Sequence, residues 1–383
     1  MPIRTMPTLN VGVLGYAGVA RAHLNALKKL PYIFWSTPVR FRLVGIAGRS
    51  PSGVEDVARR YGFEYGVTDW RRVVEDPQIE LLINCAPNDT HAGPCLAAAA
   101  LGKHLLCEKP LGRDTGEARR MWDGVRRRPL CHQVSFNYRF IPAVRFAREL
   151  IQAGEIGEIV HFRMRYTDDS LSDPSTPHTW RQERRRAGSG VVGDLASHVL
   201  DLGRFLVGEF RNVCGFSRIV VPRRPARPGA RRMKPVDVED CFVGAVEFAT
   251  GALGTLEASG CCPGQKNFLT FEANGTRGSL RFNLERLNEL EVFRAEPPVR
   301  RDRGFKTVLV TDADHPYGGR WWPSGHILGW EHPFVHQLHH LVQAILGNGA
   351  VAPLAATFAD GYANARVCDA MLLAARTGRR IRV

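Results

Sequence analysis

Three side chains in this sequence have the types that move a proton and stabilise charge on oxygen: Lys109, Asp194 and His198. The last two stand in Gly188-Ser189-Gly190-Val191-Val192-Gly193-Asp194-Leu195-Ala196-Ser197-His198, a spacing that puts them on one face of a helix. Lys109 closes an apolar run, His104-Leu105-Leu106-Cys107-Glu108-Lys109-Pro110. Oxidising an alcohol needs a base for the hydroxyl proton and a hydride acceptor near the carbon. Imidazole titrates at roughly 6.5 when unperturbed, which suits His198 to the proton. Asp194 can orient that ring or hold substrate, and the Lys109 ammonium can stabilise an alkoxide as it forms. Each residue alone has a plainer reading. A lysine before proline is often a surface charge, and an i,i+4 acid–histidine pair is often a helix-surface contact.

A hydride acceptor requires a dinucleotide site, and the start of the chain has its outline. In Val11-Gly12-Val13-Leu14-Gly15-Tyr16-Ala17-Gly18-Val19-Ala20, Gly15 takes the first glycine place of a G-x-G-x-x-G/A turn, Ala17 the second and Ala20 the third. Tyr16, Gly18 and Val19 fill the turn between them. Alanine crowds a pyrophosphate at the second place, which Gly18 next door relieves. The turn follows a strand and opens a helix, whose N-terminus favours phosphate. The second strand ends in Ala47-Gly48-Arg49-Ser50, with no acid for a ribose 2′-hydroxyl. Arginine and serine suit a 2′-phosphate, so the turn favours NADP over NAD.

These loops need a scaffold. Strand-like runs at 9–14, 41–47, 64–66, 81–86, 104–108 and 131–136 alternate with helical runs at 19–29, 53–61 and 92–100. That alternation predicts a doubly wound parallel sheet with helices on both faces, in a nucleotide domain spanning 1–133. Lys109 then sits at the C-terminal end of a parallel strand, where open α/β sheets bind ligands. After a helix over 142–153 the pattern changes. Strands at 159–166, 213–221, 241–248, 252–261, 268–273, 279–283 and 290–294 predict a large, mostly antiparallel open sheet. Helices over 333–346 and 355–377 close an α+β domain spanning 134–383. The fold class is α/β overall. The open sheet face predicts a homodimer or homotetramer.

Composition narrows the partners. The chain has 383 residues, enough for two domains, with 44% hydrophobic and 23% charged residues. No run is apolar for the roughly 20 residues a membrane span needs. The start shows no secretory leader, so a cytoplasmic protein is expected. Nine scattered cysteines without a C-x-x-C pair fit a reducing compartment. The formal charge of +14 is nearly all arginine and reads as solvated faces. The one basic cluster, residues 223–232, has no aromatic to stack a base, reads as a loop and excludes nucleic acid as the partner. His332, His336, His339 and His340 have helical spacing but read as packing and surface residues, so no metal is expected.

The turn at Gly15, the segment Ala86-Pro87-Asn88-Asp89-Thr90-His91, the Glu108-Lys109-Pro110 motif and the Asp194–His198 run together resemble the glucose–fructose oxidoreductase and inositol dehydrogenase (Gfo/Idh/MocA) family. The resemblance extends from about Leu9 to the last residues. It implies an NAD(P)-dependent oxidoreductase with Lys109, Asp194 and His198 as its catalytic set and His198 as the acid/base. It implies that Pro87 and Asn88 line the nicotinamide ribose, with Ala86, His91 and Glu108 beside them; His91 also reads as the start of a helix. Tyr138 and Arg139 match a segment near the reacting centre, and Trp180-Arg181 a pair close to the cofactor. Aromatic faces stack on sugar rings. Trp322, His326 and Trp330 lie in a stretch that looks like members oxidising anhydrosugars and glycosides, often at the 3-hydroxyl. The residues between Asp168 and His178 are expected on the same rim. The implied substrate is a sugar, glycoside or cyclitol. Two other functions use this fold: a sugar- or nucleotide-sensing regulator without chemistry, and an NAD-dependent glycosidase whose redox is hidden.

Overall fold

A computed structural model describes residues 6–295, 301 and 303–383. The chain divides into two compact units: Met1–Asn137 with Glu331–Tyr362, and Tyr138–Trp330 with Ala363–Val383.

In the first unit, continuous apolar runs make strands buried on both faces. They are β1 (Thr8–Leu14), β2 (Arg40–Ala47), β3 (Tyr65–Val67), β4 (Leu81–Asn84), β5 (His104–Cys107) and β6 (His132–Val134). All pair in parallel, in the order β3-β2-β1-β4-β5-β6. The helices between them start on side-chain caps where the sequence supplies one. Ser50 caps Pro51–Tyr61, Asp69 caps Trp70–Glu75 and Asp114 caps Thr115–Val125. The strand order reverses between β1 and β4, the switch point at which open α/β sheets bind ligands.

The sequence placed the helix His332–Ile345 in the second domain, but it packs in the first unit against the helix Ala20–Ile33. Lys29 Nζ lies 3.1 Å from Glu331 Oε1, and His339 stacks on Phe34 with ring centroids 4.3 Å apart. Burial of Phe334, Val335, His336 and Leu338 explains the return. The helix's histidines are spent on this packing. His339 Nδ1 meets Thr37 Oγ1, His336 lies edge-on to Phe34, and His340 meets the carbonyl of Val351.

The second unit is built on β7 (Ile159–Thr167), β8 (Phe210–Arg218), β9 (Arg223–Pro225), β10 (Met233–Pro235), β11 (Cys241–Phe248), β12 (Leu253–Ser259), β13 (Phe268–Gly275), β14 (Gly278–Asn283), β15 (Glu289–Arg294), β16 (Lys306–Leu309) and β17 (Ile381–Arg382). Nine of these form one sheet, ordered β16-β15-β14-β13-β7-β12-β11-β8-β17. Every described pair in it is antiparallel except β7 with β12. Its inner face carries Phe162, Phe248, Phe271 and Phe282, packed under the helices Pro142–Gln152 and Ser197–Leu206. Its outer face exposes Phe216, Val243 and Leu253 beside cross-strand ion pairs Arg163–Glu272, Arg165–Glu257 and Arg281–Glu272.

In the arginine-rich stretch 223–232, expected as a loop, residues 226–232 are the loop, while Arg223–Pro225 form β9 and pair antiparallel with β10 just beyond it. Arg224 turns inward, is 0% exposed and donates to the carbonyls of Leu171 and Asp173. Among the described residues, no helix is long and apolar enough to cross a membrane.

Candidate active site

In the first unit, the loops after β1, β2, β4 and β5 interlock through main-chain bonds that continue the parallel ladders. Gly15 N donates to Ala47 O (2.8 Å), Cys85 N to Leu14 O (2.8 Å) and Glu108 N to Asn84 O (2.8 Å). Gly15 has φ +88°, and a Cβ there would meet Cys85 O at 2.7 Å, so only glycine fits this crossing. Ala17 and Gly18 are exposed, and Gly18 takes φ +52° with open space where a Cβ would stand. The helix from Ala20 has no acid in its first turn and no side-chain cap. An uncapped helix start with no acid, beside a glycine crossing, suits a pyrophosphate, so these residues fit a dinucleotide.

Tyr16 has a role the glycine spacing did not announce. Its ring covers Gly48 and Gly53, where a Cβ would come within 2.0 Å and 2.6 Å of it. Ser50, expected to face a 2′-phosphate, is engaged as the cap of its own helix, accepting from Gly53 N at 3.3 Å. Arg49 is exposed.

The Ala86–Asn88 turn is shaped by Asn84, whose Oδ1 accepts from Ala86 N (3.1 Å) while its Nδ2 donates to Thr90 O (3.1 Å). His91 is fully buried at the start of the helix Ala92–Ala100. Its ring nitrogens meet Ala86 O and Pro110 O, each at 2.9 Å, so it ties the turn to the Lys109-Pro110 loop and has no ring nitrogen left for a cofactor. Burial lowers its pKa, against the pull of those two carbonyls.

Glu108 is buried too, and its Oε1 meets His23 Nε2 at 2.8 Å. Its Oε2 accepts from Lys109 N at 3.1 Å. Burial pushes this carboxyl up, but the bond to His23, the Lys109 charge and Ser135 outweigh it and hold it below the ordinary range. Gln337 Nε2 supports Ser135 Oγ at 3.1 Å. Glu108 therefore fixes the backbone under Lys109 and does not face a ligand.

In the second unit, His198 is buried on the helix Ser197–Leu206, beneath two phenol rings. Its ring centroid lies 4.5 Å from that of Tyr138 and 5.8 Å from that of Tyr166. The Tyr138 hydroxyl meets the Tyr166 hydroxyl (3.1 Å) and accepts from Trp330 Nε1 (3.2 Å), and Tyr166 donates to Asn267 Oδ1 (2.6 Å). Burial raises both phenols above their ordinary pKa, so they stay neutral. Asp194 lies in a π-helical turn, Val192–Ala196, just before His198. It is half-exposed, with Arg181 Nε at 3.5 Å, and the Arg181 guanidinium lies over the Trp180 ring at 4.6 Å. Asp168 is raised by burial and then by the nearby Asp194 charge.

Arg139 is a correction. It was expected at the reacting centre, but it is buried and makes a two-bond pair with Asp201, 2.7 and 2.6 Å long. A guanidinium removed from water needs such a carboxylate, so the pair with Asp201 fixes Arg139 in place. Trp330 joins the Tyr138 cluster, whereas Trp322 is exposed and His326 folds onto the carbonyl of Pro323 at 3.0 Å. His23, Asn84, Tyr166 and Asn267 were not singled out from sequence.

The crossing at Gly15, the reversed strand order and the helix carrying His198 define an oxidoreductase with a dinucleotide-binding domain. Residues 9–136 match the oxidoreductase family with an NAD-binding Rossmann fold, and residues 144–281 match the GFO/IDH/MocA C-terminal domain. The chain belongs to the Gfo/Idh/MocA family. It is 40% identical to the levoglucosan dehydrogenase of Pseudarthrobacter phenanthrenivorans over 96% of each chain. It is 30% identical to the scyllo-inositol 2-dehydrogenase (NAD(+)) of Bacillus subtilis over 67% of this chain and 70% of that one. A levoglucosan dehydrogenase structure in complex with NADH and levoglucosan superposes with a TM-score of 0.93, 40% identity and coverage of 98% of this chain and 99% of that one.

The Glu108–His23 bond has a pH signature. A carboxyl held below its unfolded value, about 4.3, contributes stability in full above that value and loses it as pH falls through the lower folded one. In His23→Leu the carboxyl stays buried with only the Lys109 charge, the Lys109 amide and Ser135 to oppose burial, so its folded pKa rises. The gap in unfolding free energy between wild type and His23→Leu, from urea titrations, is expected to be widest near neutral pH and to shrink below about pH 4. A gap constant down to about pH 3 would show that this carboxylate does not carry the pair.

Proposed function

We propose that this chain oxidises a ring hydroxyl of an anhydrosugar, glycoside or cyclitol, at the 3-position for a pyranose, and passes the hydride to a nicotinamide dinucleotide. The observation that carries the reading is His198, an imidazole buried under two phenols that burial keeps neutral. Tyr138, the next candidate base, is thereby held as a donor, and the proton falls to the imidazole. When bound, the dinucleotide supplies the hydride acceptor. Lys109 polarises the substrate oxygen and stabilises its developing charge. His198 takes the hydroxyl proton. Asp194, with Arg181 beside it, holds a neighbouring hydroxyl and orients the ring. Trp330, anchored through its indole N–H to Tyr138 and 42% exposed, stacks on the sugar ring in this reading.

Levoglucosan is the substrate to try first, given the name of the relative at 40% identity. With levoglucosan and NAD, His198→Ala is expected to lower kcat about 100- to 10,000-fold while the dinucleotide Kd stays within a few-fold. Lys109→Ala should lower kcat and raise KM, with Asp194→Asn intermediate. A His198→Ala enzyme with more than about a third of wild-type turnover would place the base elsewhere. Levoglucosan or a glycoside consumed with no change in NADH absorbance would favour the glycosidase, and no turnover on any sugar or cyclitol the regulator.

For the dinucleotide, the Gly48-Arg49-Ser50 turn has an exposed guanidinium and no carboxylate, which supports NADP, while the solved relative is complexed with NADH. We propose that both bind and that Arg49 meets the 2′-phosphate. Arg49→Ala is then expected to weaken NADP more than NAD in a fluorescence titration. Wild-type protein that binds NAD about tenfold more tightly, a gap of roughly 1.4 kcal/mol, would overturn this.

The outer face of the large sheet supports a homodimer or homotetramer. Phe216 is 75% exposed and Leu253 59%, among ion pairs already neutralised within the face, so two copies can meet on it without like-charge repulsion. Phe216→Asp is expected to shift the mass in solution toward the monomer by light scattering. A wild-type monomer at micromolar concentration would refute the proposal. The cysteines are all free, which supports a cytoplasmic location.

A further inference from the structure

The turn that leads to Asp194 and His198 begins with consecutive main-chain N–H groups, and one residue accepts them all. Gly190 N (2.8 Å) and Val192 N (3.0 Å) donate to Glu239 Oε1, and Val191 N donates to the main-chain oxygen of Glu239 at 3.0 Å. Gly190 approaches so closely that a Cβ there would stand 1.9 Å from that oxygen. Asp194 N then bonds Gly190 O at 3.0 Å, and the π turn Val192–Ala196 runs straight into the helix carrying His198. The clamp and both side chains are therefore linked by short, directly bonded backbone.

Glu239 is 4% exposed, and its Oε2 has no hydrogen-bond partner among the described residues. Burial pushes its carboxyl up, with the N–H groups of Val192 and Gly190 and the Arg184 charge pulling back. A carboxylate is costly to bury, and simple packing at this position would be met by an apolar side chain. Its neighbours show the same use of charge on other loops. Asp237 accepts from Arg184 N (2.6 Å), and Asp240 accepts from Val220 N (2.9 Å) and Val221 N (3.0 Å). Of these acids, Glu239 is the one whose bonds fall on the turn that bears Asp194.

We propose that Glu239 is a positioning residue: its carboxylate caps the N-terminal end of segment 190–198 and so sets where Asp194 and His198 point. The proposal rests on the reading of those two residues as the reacting groups. It assigns Glu239 no contact with substrate or cofactor.

The test uses the full chain, levoglucosan and NAD. Glu239→Ala is expected to lower kcat about 10- to 100-fold, the size of an ångström-scale misplacement, with KM and the NAD Kd within about threefold. Glu239→Gln keeps an acceptor oxygen for both N–H groups and is expected to recover turnover to within about fivefold. Amide hydrogen exchange in the peptide covering 188–200 is expected to quicken about tenfold in Glu239→Ala and not in Glu239→Gln. Wild-type exchange in the peptides of the second unit outside 188–200 confirms that the alanine variant is folded. Wild-type exchange over 188–200 in Glu239→Ala would overturn the clamp. Faster exchange with kcat unchanged would overturn its link to catalysis. His198→Asn run alongside separates the two claims: if it keeps full turnover, the reading of the site falls, while the exchange measurement still decides the clamp.

Discussion

A carboxylate taken out of water must find donors, and in this protein the donors it finds include the backbone at Lys109 and on the turn that leads to Asp194 and His198. Burying an unpaired carboxylate costs several kcal/mol, so the loop supplying its N–H groups cannot drift without paying that cost. In the first unit the carboxylate is Glu108, held by His23 and by the amide of Lys109. In the second it is Glu239, held by the amides of Gly190 and Val192. Each unit thus converts an electrostatic penalty into fixed geometry for a short segment that ordinary secondary structure would leave loose.

The main chain does the rest. A parallel sheet ends in loops, and loops are mobile unless their polar groups are met. Here Gly15, Cys85 and Glu108 donate across to the neighbouring loop's or strand's carbonyl, and His91 joins the carbonyls of Ala86 and Pro110. The cofactor-facing loops form one bonded edge instead of four separate segments. In the second unit the π-helical turn before His198 widens the helix where Asp194 departs from it, a distortion often found at functional sites.

The fold was legible where period and composition are local. Six parallel strands with alternating helices, and the run of antiparallel strands after them, follow from apolar runs and turns. The helix His332–Ile345 was assigned to the wrong unit because its amphipathic pattern says that a face is buried, not against what. Its partners Phe34 and Thr37 lie some 300 residues earlier. The helix Thr115–Val125 was missed although its cap was readable, with Asp114 accepting from Glu117 N. In the site, Lys109, Asp194 and His198 carry a spacing signature, whereas Arg139 looked the same as a ligand-binding arginine. Whether a guanidinium faces a ligand or an Asp201 depends on a contact between residues 62 apart in sequence. Glu239 left no such trace: it stands with Asp237 and Asp240 just before the half-exposed strand β11, where a run of acids reads as a polar connection.

The split environment around the D-x-x-x-H run follows from the same accounting. His198 lies under Tyr138 and Tyr166, whose hydroxyls are satisfied by each other, Trp330 and Asn267. Burial disfavours the charged phenolate, so these rings add shape and donors without competing for the proton. Asp194 is half-exposed, with a guanidinium at 3.5 Å, and stands outside that buried wall. A neutral aromatic wall therefore stands on one side of the imidazole, and a half-exposed carboxylate beside a guanidinium opens the turn that leads into its helix. An acid/base must not compete with its neighbours for the proton, and burial takes Tyr138 and Tyr166 out of that competition.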